Sequence, residues 1–136
     1  MRQALFVDTG GWMAMADTAD PAHAASRAAR DKWLRAGGIL LSTDYIIDET
    51  LTLIRLRLGL RAASAWWEQV EGSRRIRWEW IDPMRAEKAR SWFFRWTDKD
   101  FSFTDCTSFV VMKELHQRRA LTTDRHFRQA GFEMVP

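Results

Sequence analysis

Short apolar runs that end at a polar or acidic residue recur along this chain, and helical patterns separate them. Residues 4–7 read Ala-Leu-Phe-Val and lead directly into Asp8. A run this short and continuous predicts a strand that is buried on both faces, as strands of parallel sheets are. Between the runs, apolar residues return at spacings of three and four, which predicts helices. This alternation predicts an α/β fold with a mainly parallel sheet and helices on both of its faces.

The predicted elements cover most of the 136 residues. Strands are predicted at residues 4–7, 39–43, 76–81, 120–123 and 132–135. Helices are predicted at residues 12–15, 21–36, 44–58, 60–70, 83–96, 104–117 and 125–129. Asp20 is predicted to cap the second helix, with Pro21 as its first residue. The 76–81 segment alternates imperfectly, so we expect it at a sheet edge. No repeat or linker interrupts the pattern, which predicts one domain over residues 1–136.

Composition limits the classes of partner and compartment. The formal net charge of +3 and the pI of about 9.5 are compatible with a polyanionic partner and equally with an ordinary charged surface. A single cysteine, Cys106, cannot form an internal disulfide. No apolar run approaches the roughly 18 residues of a membrane span, and no signal peptide is recognisable at the start. We therefore expect a cytoplasmic protein that does not engage membranes.

Four acidic residues are predicted to meet at one edge of the sheet. Asp8 and Asp124 directly follow strands, whereas Glu49 and Asp105 lie in the first two turns of helices. Open parallel sheets bind their ligands at the carboxyl ends of the strands. Carboxylates that converge there repel one another unless a cation lies among them, and hard oxygen ligands suit Mg²⁺ or Mn²⁺. The sequence therefore predicts a divalent-metal site.

Each of these acids also has a structural interpretation. Asp8 and Asp124 precede helices and can cap them. Asp105 follows Ser102 at the spacing of a capping box, with Asp in place of Glu. Glu49 flanks the apolar stripe of its helix and can be an ordinary solvated residue. Taken singly, none of the four therefore establishes a functional site.

Taken together, four segments resemble the ordered motifs of PIN domains. The segments are Phe6-Val7-Asp8-Thr9, residues 43–51 around Glu49, residues 98–106 around Asp105, and residues 121–127 around Asp124 followed by Ala130-Gly131-Phe132. The resemblance spans nearly the whole chain and is greatest to the VapC-type toxins of bacterial and archaeal toxin–antitoxin pairs. It implies a PIN-like three-layer α/β/α sandwich with a central, mainly parallel sheet of four to five strands.

The resemblance also implies an activity and its residues. The activity is that of a Mg²⁺-dependent endoribonuclease, with Mn²⁺ as a plausible substitute, which a small antitoxin protein inhibits. The acidic quartet, implied as metal ligands and catalytic residues, consists of Asp8, Glu49, Asp105 and Asp124. The supporting residues are Thr9 and Thr123 as nearby hydroxyls, Ser102 as the residue that orients the third motif, and Asp100 as an additional acid.

The resemblance further implies a homodimer, for which the aromatic segments Trp66-Trp67 and 92–94 are candidate surfaces. Two alternatives remain open at this point. One is a PIN nuclease that cleaves DNA or structured nucleic acid. The other is a catalytically silent PIN module for protein interaction, which would be expected to lack one or more acids of the quartet. The histidines His23, His116 and His126 are interpreted as surface or capping residues.

Overall fold

A parallel sheet of five strands forms the centre of the computed structural model, which describes residues 2–136. The strands are β1 (Ala4–Val7), β2 (Ile39–Thr43), β3 (Ile76–Glu79), β4 (Arg119–Leu121) and β5 (Glu133–Val135). The helices are α1 (Thr9–Ala16), α2 (His23–Arg35), α3 (Asp44–Leu58), α4 (Leu60–Glu71), α5 (Pro83–Arg95), α6 (Phe103–Glu114) and α7 (His126–Gln129). All four strand pairings are parallel.

The order of the strands in the sheet is β3-β2-β1-β4-β5. The chain therefore builds outward from β1 to β3 on one side and then returns to the other side of β1 with β4. Phe6 pairs with Leu41 of β2 and Ala120 of β4, so β1 is the central strand. The point where the order reverses lies between β1 and β4. In open parallel sheets, a crevice for ligands opens at the carboxyl ends of the strands at such a point.

The sheet is covered on both faces, since all four residues of β1 are buried. On one face Trp12 of α1 packs edge-on against Trp66 of α4, with ring centroids 5.5 Å apart. Elsewhere Phe109 of α6 packs against Phe127 of α7 at 5.1 Å, and Phe127 lies 6.1 Å from Phe6. These rings anchor α6 and α7 to the central strand; Asp105 belongs to α6, and Asp124 lies two residues before α7.

The predicted start of the second helix is wrong. The side chain of Asp20 accepts a hydrogen bond from the backbone N–H of Ala22, only two residues away, at 2.8 Å. This bond closes a local turn and competes with capping of the helix. As a result α2 begins at His23, and Pro21 lies before it. The first helix is longer than predicted, because Asp8 caps it and allows it to begin at Thr9.

The predicted fold class is confirmed, and the 76–81 segment forms edge strand β3 as expected, although it ends at Glu79. The strand predicted at residues 120–123 also ends earlier, at Leu121. Thr122 and Thr123 therefore lie beyond β4, at the sheet edge where the crevice opens. Within residues 2–136, no helix combines the length and the apolar character needed to cross a bilayer.

Candidate metal centre

Asp8 occupies the carboxyl end of the central strand and is almost fully buried, with 6% of its surface exposed. Its Oδ1 accepts a hydrogen bond from the backbone N–H of Gly11 at 2.8 Å, which caps α1. Its Oδ2 accepts one from the hydroxyl of Thr122 at 2.7 Å, across the crevice from β1 to the end of β4. Each carboxylate oxygen of Asp8 therefore accepts a hydrogen bond. Asp8 caps α1 and also lies in the crevice where the metal site is predicted.

Gly11 brings α1 close to the end of β4. A Cβ at this position would lie 2.1 Å from the carbonyl oxygen of Leu121, a distance that no side chain tolerates. The neighbouring Gly10 is less constrained, because its nearest contact would be the side-chain Oγ1 of Thr123 at 3.0 Å. The second glycine of the Gly10-Gly11 pair thus permits the close approach that sets Asp8 beside Thr122.

The pKa of Asp8 is raised from 3.8 to about 7, chiefly by burial and to a smaller extent by the negative charges of Asp124 and Asp105. The hydrogen bonds from Thr122 and Gly11 act in the opposite direction. A carboxyl with this pKa changes its charge near neutral pH. The influence of both other aspartates on Asp8 also shows that these three acids share one electrostatic environment.

Asp105 is held at the start of α6 by a capping box. Its backbone N–H donates to the hydroxyl of Ser102 at 2.9 Å, and its Oδ2 accepts from the backbone N–H of Ser102 at 3.1 Å. The predicted capping box is therefore present, with Asp in the reciprocal position. Burial, followed by the charge of Asp124, raises the pKa of Asp105, whereas the backbone of Ser102 and the imidazole of His126 lower it.

Asp124 lies between β4 and α7. Its Oδ1 accepts a hydrogen bond from the backbone N–H of His126 at 2.9 Å, and its own N–H donates to Thr122 Oγ1 at 2.9 Å. The hydroxyl of Thr122 consequently bridges two acids, since it donates to Asp8 and accepts from the backbone of Asp124. This link joins the ends of the two central strands.

The imidazole of His126 stands between two of the acids. Its Nδ1 lies 3.0 Å from Asp105 Oδ2 and 3.2 Å from Asp124 Oδ1. The ring packs edge-on against buried Phe101, with centroids 5.6 Å apart. One ligand atom from each of His126, Asp105 and Asp124 lies within 4.8 Å of the others. The interpretation of His126 as a surface or capping residue therefore misses its contact with both carboxylates.

The donor set fits a divalent cation. Three aspartates share one crevice, and two of them contribute oxygen atoms to the group within 4.8 Å. Carboxylate oxygens are the ligands that hard divalent ions prefer, and a cation offsets both the burial of the Asp8 charge and its repulsion by Asp124 and Asp105. The prediction of a divalent-metal site at the carboxyl ends of the strands therefore agrees with the geometry of these residues.

Glu49 lies outside that group of three but reaches the same edge of the sheet. The hydroxyl of buried Thr9 donates a short hydrogen bond to Glu49 Oε1, so the carboxylate is fixed to the residue that follows Asp8. The adjacent acid, Asp48, is exposed, and its carbonyl oxygen accepts from the hydroxyl of Thr52. Of the two neighbouring acids, Glu49 is the one held beside Asp8.

The supporting residues take different places. Thr9 and Ser102 hold Glu49 and Asp105, as described. Thr123 is exposed beside Gly10 at the mouth of the crevice, whereas Thr122, which was not predicted, makes the hydrogen bonds to the site. Asp100 lies exposed in the loop before α6.

Burial raises the pKa of Cys106 to about 11, so the thiol beside Asp105 stays protonated and is no nucleophile.

Comparison with known proteins identifies the family. No family model matches the chain. The 23S rRNA-specific endonuclease VapC20 of Mycobacterium tuberculosis is 32% identical over 131 residues, which are 96% of this chain and 97% of the relative. The chain belongs to the VapC family. The resemblance seen in the four motifs is therefore confirmed.

Solved structures agree with that assignment. The crystal structure of VapC20, described as a sarcin-ricin loop cleaving toxin, superposes on this VapC chain with a TM-score of 0.87 at 32% identity. The overlap covers 97% of this chain and 99% of that one. FitAcB from Neisseria gonorrhoeae, at 15% identity, reaches a TM-score of 0.68 over 97% and 96% of the two chains, which shows a shared fold. The PIN-like architecture expected for a VapC chain is thus confirmed.

Proposed function

We propose that this VapC-family chain is a divalent-metal-dependent endoribonuclease that acts as the toxin of a toxin–antitoxin pair. The observation that carries the proposal is the convergence of Asp8, Asp105 and Asp124 at the carboxyl ends of β1 and β4. Glu49, which Thr9 ties to the same edge, completes an acidic quartet of catalytic and metal-binding residues. All four acids expected for an active PIN nuclease are present, which argues against a silent interaction module.

The substrate class follows from the relative. VapC20 is named for its action on 23S rRNA and for cleavage of the sarcin-ricin loop. We propose that this chain likewise cleaves an unpaired loop of a structured ribosomal RNA. A net charge of +3 is compatible with such a polyanion. Action on ribosomal RNA would place the activity in the cytoplasm, where ribosomes work.

The metal proposed for the site is Mg²⁺, with Mn²⁺ able to replace it. Asp105 and Asp124 would hold the ion, and Asp8 would contribute its buried carboxylate. An ion of this kind lowers the pKa of a bound water and stabilises negative charge on the phosphate and the leaving oxygen. Carboxylate oxygens suit both Mg²⁺ and Mn²⁺, so manganese would be able to replace magnesium at this site.

The residues around the ion have separate tasks in this proposal. The hydroxyl of Thr122 and the N–H of Gly11 fix both oxygens of Asp8, so its carboxylate cannot turn away when a phosphate enters. Glu49, fixed through Thr9, would orient the attacking water at the open side of the crevice. The imidazole Nδ1 of His126 donates a hydrogen bond to Asp105 and lies 3.2 Å from Asp124, so it would hold the two carboxylates close to each other.

A small antitoxin and a second copy of the chain are the protein partners that the family resemblance implies. The aromatic segments proposed as dimer surfaces differ in exposure. Trp66 is 7% exposed and belongs to the core, so it is a poor candidate for the interface. Phe94, with 73% of its surface exposed, remains available to a partner.

The test is cleavage of defined RNAs by purified protein. Intact ribosomes, a hairpin carrying the sarcin-ricin loop, and a hairpin with the same stem and a different loop would each be incubated with Mg²⁺, Mn²⁺ or EDTA. We expect site-specific cleavage that requires metal and falls at least 100-fold in Asp8→Asn and Asp105→Asn. The matched control is Asp31→Asn, which removes a half-buried acid of α2 that forms an ion pair with neighbouring Arg30 and should leave the rate unchanged.

Three outcomes would contradict the proposal in different ways. Equal cleavage by wild type and both active-site variants would assign the activity to a contaminant. Faster cleavage of the matching DNA hairpin would favour the DNA-directed alternative. Metal binding to the wild type, measured by calorimetry, without cleavage of any nucleic acid would favour an interaction module.

A further inference from the structure

Four aromatic side chains form a continuous strip that begins beside the acidic quartet. In order they are Tyr45, Phe103, Phe93 and Phe94. The ring centroids of Tyr45 and Phe103 are 6.3 Å apart, those of Phe103 and Phe93 are 6.2 Å apart, and those of Phe93 and Phe94 are 5.2 Å apart. We call this set the aromatic strip. It connects three helices, because its members belong to α3, α6 and α5.

The inner end of the strip lies beside Glu49, one acid of the proposed quartet. Tyr45 precedes Glu49 by one helical turn, so both side chains lie on the same face of α3. Together with Thr104 of α6 they line a groove of about 520 Å³. Phe103 lies two residues before Asp105 in the first turn of α6. A ligand that lies in this groove beside Glu49 would therefore touch Tyr45, the first ring of the strip.

The outer end of the strip is exposed to solvent. Phe93 and Phe94 have 39% and 73% of their surfaces exposed. A single exposed aromatic residue is ordinary on a protein surface. A row of rings in contact that runs toward an acidic crevice forms a larger apolar patch, and such patches often mark a binding site. Phe94 in particular offers a ring that the rest of the chain covers only in part.

A cation accompanies the exposed end. Arg90 is exposed and lies three and four residues before Phe93 and Phe94, hence on the same side of α5. Its guanidinium forms no ion pair with any residue from 2 to 136, unlike Arg85 and Lys88 of the same helix, which both bind Glu114. Exposed aromatic rings next to an unpaired guanidinium are typical of surfaces that bind single-stranded nucleic acid, because the bases stack on the rings and a backbone phosphate binds the cation.

We propose that the aromatic strip is a base-stacking platform that holds unpaired nucleotides of the RNA loop next to the scissile phosphate. In this arrangement Arg90 contacts the backbone, Phe94 and Phe93 stack on bases that are turned out of the loop, and the strip leads the strand into the groove at Glu49. The inference rests on the proposed ribonuclease function and assigns to it a substrate-specificity surface. A preference for looped over paired RNA would follow, since paired bases cannot reach the rings.

Binding would be measured with the cleavage-silent Asp8→Asn protein as parent, so that the result does not depend on turnover. The ligand is a labelled hairpin with the sarcin-ricin loop, in buffer with Mg²⁺, followed by fluorescence anisotropy. We expect Phe94→Ala and Phe94→Leu to weaken binding roughly 5- to 100-fold and Phe94→Trp to preserve it, because stacking requires a planar ring. Met84→Ala is the matched control: it removes a side chain that is 68% exposed near the opposite end of α5.

Abasic RNA separates stacking from other effects of the substitution. Hairpins that lack one loop base at a time would be bound to the parent and to Phe94→Ala. If Phe94 stacks on a base, removal of that base should weaken the parent but have little further effect on Phe94→Ala, so the two losses are not additive. Additive losses at every loop position would overturn the proposal, and so would unchanged binding by both Phe94→Ala and Phe94→Leu.

The competing occupant of the strip is a second copy of this chain. Sedimentation velocity of the same variants tests whether the strip mediates self-association. If Phe94→Ala dissociates a dimer, and if its loss of RNA affinity adds to the loss caused by each abasic site, the strip is a dimer interface. Failure of the ribonuclease proposal has a different signature. If the ribonuclease proposal fails, the Asp8→Asn parent binds the hairpin but the wild-type protein does not cleave it. If only the strip proposal fails, the wild-type protein cleaves the hairpin and substitutions of Phe94 do not change the rate.

Discussion

The imidazole Nδ1 of His126 lies 3.0 Å from Oδ2 of Asp105, and the same oxygen accepts the backbone N–H of Ser102. This oxygen thus has two donors, one from the start of its own helix and one from α7. His126 also lies 3.2 Å from Asp124 and therefore links the third and fourth motifs directly. Two carboxylates that repel each other are held together by one ring, whose orientation buried Phe101 supports through an edge-on contact.

Removal of the His126 ring should weaken metal binding. In His126→Ala the carboxylate of Asp105 loses a hydrogen-bond donor, and Asp124 loses the ring 3.2 Å away, so the repulsion between the two carboxylates is relieved less well. We expect the dissociation constant for Mn²⁺, measured by isothermal titration calorimetry, to rise about 10-fold, as is common when a residue that orients metal ligands is lost. Replacement of the nearby exposed Arg128 by alanine serves as the control within α7. Identical affinities for wild type and His126→Ala would show that the ring does not support the site.

Asp8 should destabilise the metal-free protein at neutral and alkaline pH. Its pKa in the folded state is about 7, above the ordinary value of 3.8, because burial disfavours the charged form. The folded chain therefore binds the proton more tightly than the unfolded chain. The stability that this group contributes is complete below about pH 3.8 and is lost as the pH rises from there to about 7.

Asp8→Asn removes the charge and keeps the shape. In EDTA at pH 8, we expect the variant to have a larger free energy of unfolding than wild type by roughly 2–4 kcal/mol, and the advantage should shrink by about 2 kcal/mol at pH 5. Urea unfolding at the two pH values measures both differences. Added Mg²⁺ should stabilise the wild type more than the variant. A variant that is less stable than wild type at pH 8 without metal would refute the assignment of a costly buried charge.

The parts of the site that sequence could predict are those set by local chemistry. Asp8 follows a recognisable strand, and Asp105 follows Ser102 at capping-box spacing, so both could be placed without knowledge of tertiary contacts. The parallel sheet could also be predicted without tertiary contacts, because strands and helices alternate along the sequence. His126 was missed because its role depends on how α7 lies against Phe101 and Asp105, residues more than twenty positions away. Its spacing of two residues from Asp124 was the available signal.

Thr122 shows how the alternation of side chains decides which hydroxyl reaches the site. Successive residues of an extended chain point in opposite directions, so one of the neighbouring Thr122 and Thr123 faces Asp8 and the other does not, and the family resemblance implied Thr123. The strand was predicted to continue to Thr123 but ends at Leu121, and the hydroxyl of Thr122 faces the site. The start of α2 was missed for a related reason, because Asp20 closes a turn before the helix begins.

Thr122→Val should shift the pH dependence of metal binding. The Thr122 hydroxyl lowers the pKa of Asp8 by donating to its Oδ2, so its loss should raise that pKa above about 7. Since the metal requires the carboxylate, the midpoint of Mn²⁺ affinity against pH should move to higher pH. Thr122→Ser keeps the donor and should restore the wild-type midpoint. An equal shift in Thr122→Ser would contradict this assignment, because that variant keeps the hydroxyl that donates to Asp8.

Gly11→Ala should be much more harmful than Gly10→Ala. At position 11 a methyl group would lie 2.1 Å from the carbonyl oxygen of Leu121, so α1 must move away from the end of β4. At position 10 the nearest atom is the Thr123 Oγ1 at 3.0 Å, which belongs to an exposed side chain that can rotate. We expect Gly11→Ala to lose at least about 2 kcal/mol of unfolding free energy in urea titrations, and Gly10→Ala less than about 1 kcal/mol. Movement of α1 also separates Asp8 from Thr122, so Gly11→Ala should weaken Mn²⁺ binding under conditions where it is still folded. Equal stability of the two variants would mean that the close packing of α1 on β4 does not hold the metal site in place.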